Sequence, residues 1–112
     1  MLKSFLKYEN SSKKYYIWEF VLSSKYHKVE MFHSKLSGKK KLVLDSNVLT
    51  ETKSYSYDFV YSFKIDKNYF NVVQTSSDKF EMRIDNRSFS EIQSEEKFMP
   101  KEQNKVIAPK PV

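Results

Sequence analysis

Apolar and polar residues alternate along most of this chain, with the period of two that puts every second side chain on one face of a strand. The clearest run is Tyr55, Tyr57, Phe59, Tyr61, Phe63 and Ile65, with Ser56, Asp58, Val60, Ser62 and Lys64 between them. A helix would scatter the first six around its circumference, whereas a strand places them all on one side. The same alternation predicts strands at Tyr15–Ser23, Tyr26–His33, Lys39–Asp45, Val48–Glu51, Tyr55–Ile65, Tyr69–Thr75 and Lys79–Asp85, and a short last one at Phe89–Ile92. Ser23-Ser24-Lys25 and Ser37-Gly38 read as turns between them, and Gly38 is the only glycine in the protein. The expected fold class is therefore all-β: an antiparallel β-sandwich of about eight strands over residues 15–92, with flexible N- and C-terminal tails. Its expected core is Trp18, Phe20, Leu22, Val29, Met31, Leu42, Leu44, Phe59, Phe63, Ile65, Phe80, Met82 and Ile84.

A weak internal repeat supports this reading. LVLDSNVL (42–49), FKIDKNYF (63–70) and MRIDNRSF (82–89) share the pattern apolar-x-apolar-Asp-x-x-x-apolar. Asp and Asn hydrogen-bond to nearby backbone and tolerate left-handed conformations, so Asp45, Asp66 and Asp85 are expected at hairpin corners. The other reading, three carboxylates gathered into one acidic site, is the weaker because Asp is so common in turns.

The two ends differ from the middle. Residues 1–14 carry Leu2, Phe5 and Leu6 among basic residues; one helical turn would put these three on one side, but so short a helix is not stable alone. Residues 93–112 hold all three prolines, mixed charges and no periodicity, and read as an extended or disordered tail. Val106-Ile107 stands out there as a short apolar anchor.

Composition narrows the function. At 112 residues there is room for one domain. No apolar run reaches the length of a membrane-crossing helix, and MLKSFL is too short for the core of a signal peptide. The absence of cysteine excludes disulfides and favours an intracellular, cytoplasmic address. The net charge of +6 divides as +3 over residues 1–14, +2 over 15–92 and +1 over 93–112. Of the 20 basic residues only Arg83 and Arg87 are arginine, the residue that bidentate recognition of phosphate or guanine usually recruits. A nucleic-acid partner is accordingly disfavoured, although stacking of bases on the many aromatics has to be weighed.

Candidate chemistry is sparse. His27 and His33 lie six residues apart on one face of a strand, about 20 Å at roughly 3.3 Å per residue, too far to share a metal. No nucleophile–base arrangement, paired-carboxylate motif or glycine-rich phosphate loop is present. No catalysis, cofactor or metal is expected. What remains is a set of candidate partner-binding residues. Tyr26 and Phe32 share a face with Lys28 and Glu30, and form either an exposed partner surface or the outer part of a two-sided core. Lys39, Lys40 and Lys41 are either a patch for an acidic or phosphate-bearing partner or the solvated rim of a turn. In a strand Lys39 and Lys41 share a face and Lys40 points the opposite way. Leu2, Phe5, Leu6, Val106 and Ile107 complete the set as apolar residues of the tails.

Trp18…Leu22, then HKVEMFHSKLSGKKKLVLD (27–45) and MRIDNRSFSEI (82–92), resemble the Fas apoptotic inhibitory molecule (FAIM) family. The resemblance runs from Trp18 to Ile92. It implies a β-sandwich without enzymatic activity, in a family linked to regulation of apoptosis and to counteracting protein aggregation, and it brings no catalytic residues. Family members usually carry two related domains, and Ser46 stands where they commonly have a turn glycine. The expected function is a non-catalytic protein-interaction domain. The alternative is a small structural subunit of a large cytoskeletal or ciliary assembly, docked through its tails; a nucleic-acid or small-ligand role ranks lower.

Overall fold

A computed structural model describes residues 2–10 and 12–98. Two antiparallel sheets face each other. The first has five strands in sequential order: β1 (Leu2–Asn10), β2 (Lys13–Leu22), β3 (Lys25–Ser34), β4 (Lys39–Leu44) and β5 (Asn47–Lys53). The second has four: β6 (Val60–Ile65), β7 (Asn68–Ser76), β8 (Lys79–Ile84) and β9 (Arg87–Ser88), followed by the helix α1 (Phe89–Phe98). Within each sheet every strand pairs with its neighbour in sequence, and the chain passes between the sheets once, through residues 54–59. The all-β sandwich expected from the alternation is the observed architecture.

The core lies between the inward faces. Trp18, Phe20, Val29, Met31, Leu42, Phe80 and Met82 are buried there, and Leu22, Leu44, Phe59, Phe63, Ile65 and Ile84 pack half-buried around them. Tyr16, Phe70, Val72 and Phe89 also belong to it. Rings bridge the layers: Phe70 stacks on Phe20 at 5.2 Å and Tyr16 meets Phe80 edge-on at 5.6 Å, while within the second sheet Phe70 stacks on Phe63 at 5.2 Å. Offset and edge-to-face pairs of this kind add to the gain from burial itself.

The repeat is a corner device. Asp45, Asp66 and Asp85 all hold positive φ at the end of a strand. Asp45 caps the β4–β5 turn, and its carboxylate accepts the Lys28 N–H of β3 at 2.8 Å. Asp85 does the same from the β8–β9 turn, accepting the Tyr69 N–H of β7 at 2.9 Å. In each sheet the carboxylate extends the ladder by one bond past its last residue. Asp66 follows β6, an edge strand that pairs only with β7, so no preceding strand of that sheet lies beside its corner.

Four expectations need correction. Residues 1–14 are not a tail with a helical turn: Leu2–Asn10 pairs antiparallel with β2. The open edge of β2 offers a row of backbone partners, which outweighs the local preference of a segment too short to hold a helix. Leu2, Phe5 and Leu6 therefore divide between the faces, with Leu2 opposite Phe20, Leu6 opposite Tyr16, and Phe5 pointing outward opposite Ile17. The strand expected from Tyr55 begins only at Val60, because residues 54–59 carry the chain from one sheet to the other; Tyr55 and Tyr57 are exposed. The strand expected at Phe89–Ile92 is the start of α1. Its signal was Ser88-Phe89-Ser90-Glu91, a capping sequence, and the Ser88 hydroxyl accepts the Glu91 N–H at 3.1 Å. Finally, residues 93–98 belong to this helix rather than to a tail. Gln93 donates to the Leu2 carbonyl at 3.2 Å and accepts from the Ser4 hydroxyl at 3.0 Å, joining α1 to β1. Val106 and Ile107 lie outside the described residues.

Candidate functional site

The outward face of the five-stranded sheet gathers most of the sequence-predicted partner residues. Alternation fixes the arrangement. Phe5, Ile17, Glu30, Val43 and Val48 form one row across all five strands, each paired with the next. Lys7, Tyr15, Phe32, Lys41 and Glu51 form the adjacent row. Val21 and Tyr26 pair near one end of the face. Outward faces of antiparallel sheets are ordinarily polar. This one is largely apolar along its centre: Ile17 and Val43 are buried on either side of Glu30, while Phe5, Val21, Tyr26 and Val48 are exposed.

The centre of the second row is a ring stack. Tyr15 and Phe32 lie 4.4 Å apart and 10° from parallel, and the Lys41 ammonium stands 4.8 Å from the Phe32 centroid. The Tyr15 hydroxyl donates to the Glu30 carboxylate. Burial first, and that hydrogen bond second, push the Tyr15 phenol well above the ordinary tyrosine range. Tyr26 donates to Glu19, and chiefly for that reason its phenol is pushed up to about 12. Both hydroxyls thus stay protonated and hold the glutamates in place. A shallow groove of about 160 Å³ runs beside the stack, lined among others by Tyr15, Phe32, Lys13, Lys39 and Lys41.

The charge of this face is one-sided. Lys3, Lys7, Lys13, Lys28, Lys39, Lys41 and Lys53 share the outward positions with Glu19, Glu30 and Glu51. Lys39 is paired with Glu51 at 2.9 Å, and Lys28 lies 3.8 Å from Glu30. Lys3 and Lys7 reach the face only because β1 joins the sheet, so part of the basic excess of residues 1–14 is folded onto it.

Lys40 is not part of this surface. It points inward, is 2% exposed, and donates to the Ser56 carbonyl at 2.7 Å. The three-lysine run is thus split as the strand period requires, and its middle member, expected on a solvated rim or partner patch, is covered by residues 54–57. His27 and His33 both face inward at opposite ends of β3, His27 beside the Asp45 carboxylate at 2.7 Å. Among the described residues no group of three His, Asp or Glu side chains comes together as a metal-ligand set. Sequence reasoning missed Tyr15, Ile17, Glu30 and Val43. Their signal was Tyr15 and Ile17 standing out of phase with Trp18 and Phe20, which marks a strand apolar on both faces.

A family model describing the Fas apoptotic inhibitory molecule matches residues 14–106. No curated protein and no solved structure matches the chain. The matched segment takes in β2 to α1, the strand order expected from the motifs, the outward face from β2 to β5 and the aspartate corners. The chain belongs to the Fas apoptotic inhibitory molecule family.

Proposed function

We propose that this protein is a non-catalytic interaction domain that binds an acidic polypeptide segment bearing apolar side chains on the outward face of its five-stranded sheet. The observation that carries the reading is the Tyr15–Phe32 stack, flanked by lysines, on a face whose central row is apolar except for Glu30. Aromatic side chains with few rotatable bonds are effective anchors at interfaces. Lysines around them favour an acidic partner, mainly through association rate and orientation. The regulatory role that the family's name links to apoptosis would be exercised through such contacts.

The alternative of a structural subunit docked through its tails draws less support. Residues 2–10 are committed to the sheet and residues 89–98 to α1, so the partner surface is sought on a face. The test is a titration of the ¹⁵N-labelled full chain with a synthetic peptide alternating Glu with Phe and Leu. Shifts should concentrate on Phe5, Tyr15, Phe32 and Val43, weaken with added salt, and fall roughly tenfold in affinity in Phe32→Ser or Lys41→Glu. Shifts confined to β6–β8, or none, would overturn the proposal.

A further inference from the structure

At one end of the sandwich, away from the outward face, the interior is polar. A cavity of about 130 Å³ opens between β3, β4, the 54–57 segment and the β7–β8 turn, lined among others by His33, Lys40, Ser56, Gln74 and Ser77. Three of these side chains are more than nine-tenths buried: Lys40 at 2% exposure, His33 at 6% and Gln74 at 6%. His33 Nδ1 and Gln74 Oε1 have no hydrogen-bond partner among the described residues. Buried polar atoms are nearly always paired, and the side chains carrying these two both line the cavity, so a guest that reached the atoms would satisfy them. Lysine, too, is almost never fully buried without a counter-charge. Lys40 has the neutral Ser56 carbonyl instead.

The electrostatics point to the missing charge. Lys14 is closed onto Asp78 at 2.5 Å. Asp58 favours the charged form of Lys40 through its own charge, and its carboxylate accepts from the Ser56 hydroxyl. Lys35 and Lys40 therefore leave the cavity positive. The same environment holds the His33 imidazolium below its ordinary pKa, through burial first and then through Lys40 and Lys14, against Asp78.

The cavity is also the place where the only glycine is used. Gly38 holds φ +73, and a Cβ there would lie 3.1 Å from the Ser54 carbonyl carbon and oxygen and 3.2 Å from the Tyr55 ring. Ser54 N–H donates to Gly38 at 2.9 Å, and the Tyr55 hydroxyl donates to the Leu36 carbonyl at 2.8 Å. Gly38 thus lets residues 54–57 close down over Lys40.

We propose that this cavity is a binding site for a small carboxylate that carries a neighbouring hydroxyl. The carboxylate accepts from the Lys40 ammonium and from His33 Nδ1–H. The hydroxyl donates to Gln74 Oε1, which an anion alone leaves unpaired. A phosphate fits less well, since no arginine is among the residues that line the cavity.

The test uses the full chain, ¹⁵N-labelled, titrated with sodium lactate, sodium acetate and sodium chloride. Lactate should give saturable shifts at the Gln74 side-chain amide, Gly38 and Ser56, with a dissociation constant roughly tenfold below that of acetate, the effect of one hydrogen bond to a buried acceptor. Chloride should give only a linear drift. Gln74→Leu should bring lactate and acetate to the same affinity while leaving both bound, and Lys40→Met should abolish both. Thermal melts establish that each variant is folded. If Lys40→Met does not fold, Gln74→Leu alone decides the matter. No saturable shift, or equal affinities for lactate and acetate in the parent protein, would sink the proposal. So would a crystal grown in lactate with only water between His33 and Gln74.

Discussion

With one glycine in 112 residues, the hairpins of this protein have to be turned by residues that carry side chains. Ser23-Ser24, Asp45-Ser46 and Asp85-Asn86 each hold two consecutive positive φ angles, the signature of the tight turn whose twist suits paired strands. Asp and Asn tolerate that conformation through local hydrogen bonds, whereas serine does so less well. Ser46 is one of these serines, at φ 70. Ser46→Gly relieves a left-handed cost of about 1–2 kcal/mol and adds about 0.5–1 kcal/mol of backbone entropy to the unfolded chain. A net stabilisation of about 0.5–1 kcal/mol is expected in urea unfolding, with the m value unchanged. A destabilised variant would show that the Ser46 side chain contributes more than its backbone strain costs.

At the scale of elements, the two ends of the chain hold each other. β1 is an edge strand, and α1 lies against it through Gln93, Leu2 and Ser4. The helix in turn depends on its first turn, where Ser88 caps, Phe89 inserts into the core at 1% exposure, and Arg87 pairs with Glu91 at 3.7 Å and with Glu95. Ser88→Ala removes the cap and should cost about 1 kcal/mol. Because α1 supports β1, the loss should appear as faster amide exchange at Leu2–Leu6 as well as along the helix. Faster exchange in the helix alone would mean that β1 is held by β2 without it.

At the scale of the whole molecule, stability should depend on pH through a few named groups. Burial lowers the pKa of His33, so the folded state binds its proton less readily than the unfolded state, and stability falls as pH drops below the ordinary histidine value of 6.5. The Asp85 carboxylate is lowered by the Tyr69 N–H and then by Asn68, and Asp78 by Lys14. Their stabilisation is present above the ordinary value of 3.8 and is lost as pH falls through their folded values. Thermal melts from pH 8 to pH 3 should therefore decline in two stages. His33→Gln should flatten the upper stage and Asp85→Asn part of the lower. Melting temperatures that rise between pH 7 and pH 5.5 would contradict the assignment of His33.

The sequence by itself determined the strands of the middle of the chain, the corners at Asp45, Asp66 and Asp85, and most of the core. These are local matters: period two places Trp18, Phe20, Val29, Met31 and Leu42 on one side whatever lies beyond, and Asp tolerates the positive φ of a tight turn. It also split Lys40 from Lys39 and Lys41. Tertiary structure decided the rest. Whether residues 2–10 form a strand depends on the open edge of β2, which no pattern within those residues encodes. Whether Tyr55 and Tyr57 continue a strand or cross between sheets depends on where the second sheet sits, since alternation is the same in both cases. The capping sequence at Ser88 was legible, but the alternation before it suggested one more strand. Both sites were decided in the same way. Period two could put Tyr15 beside Ile17 on a face, but only pairing with β1, β3 and β4 joins that face into a surface. The polar cavity joins His33, Lys40 and Gln74 from β3, β4 and β7, up to 41 positions apart. Their burial with unpaired polar atoms is a property of the closed sandwich.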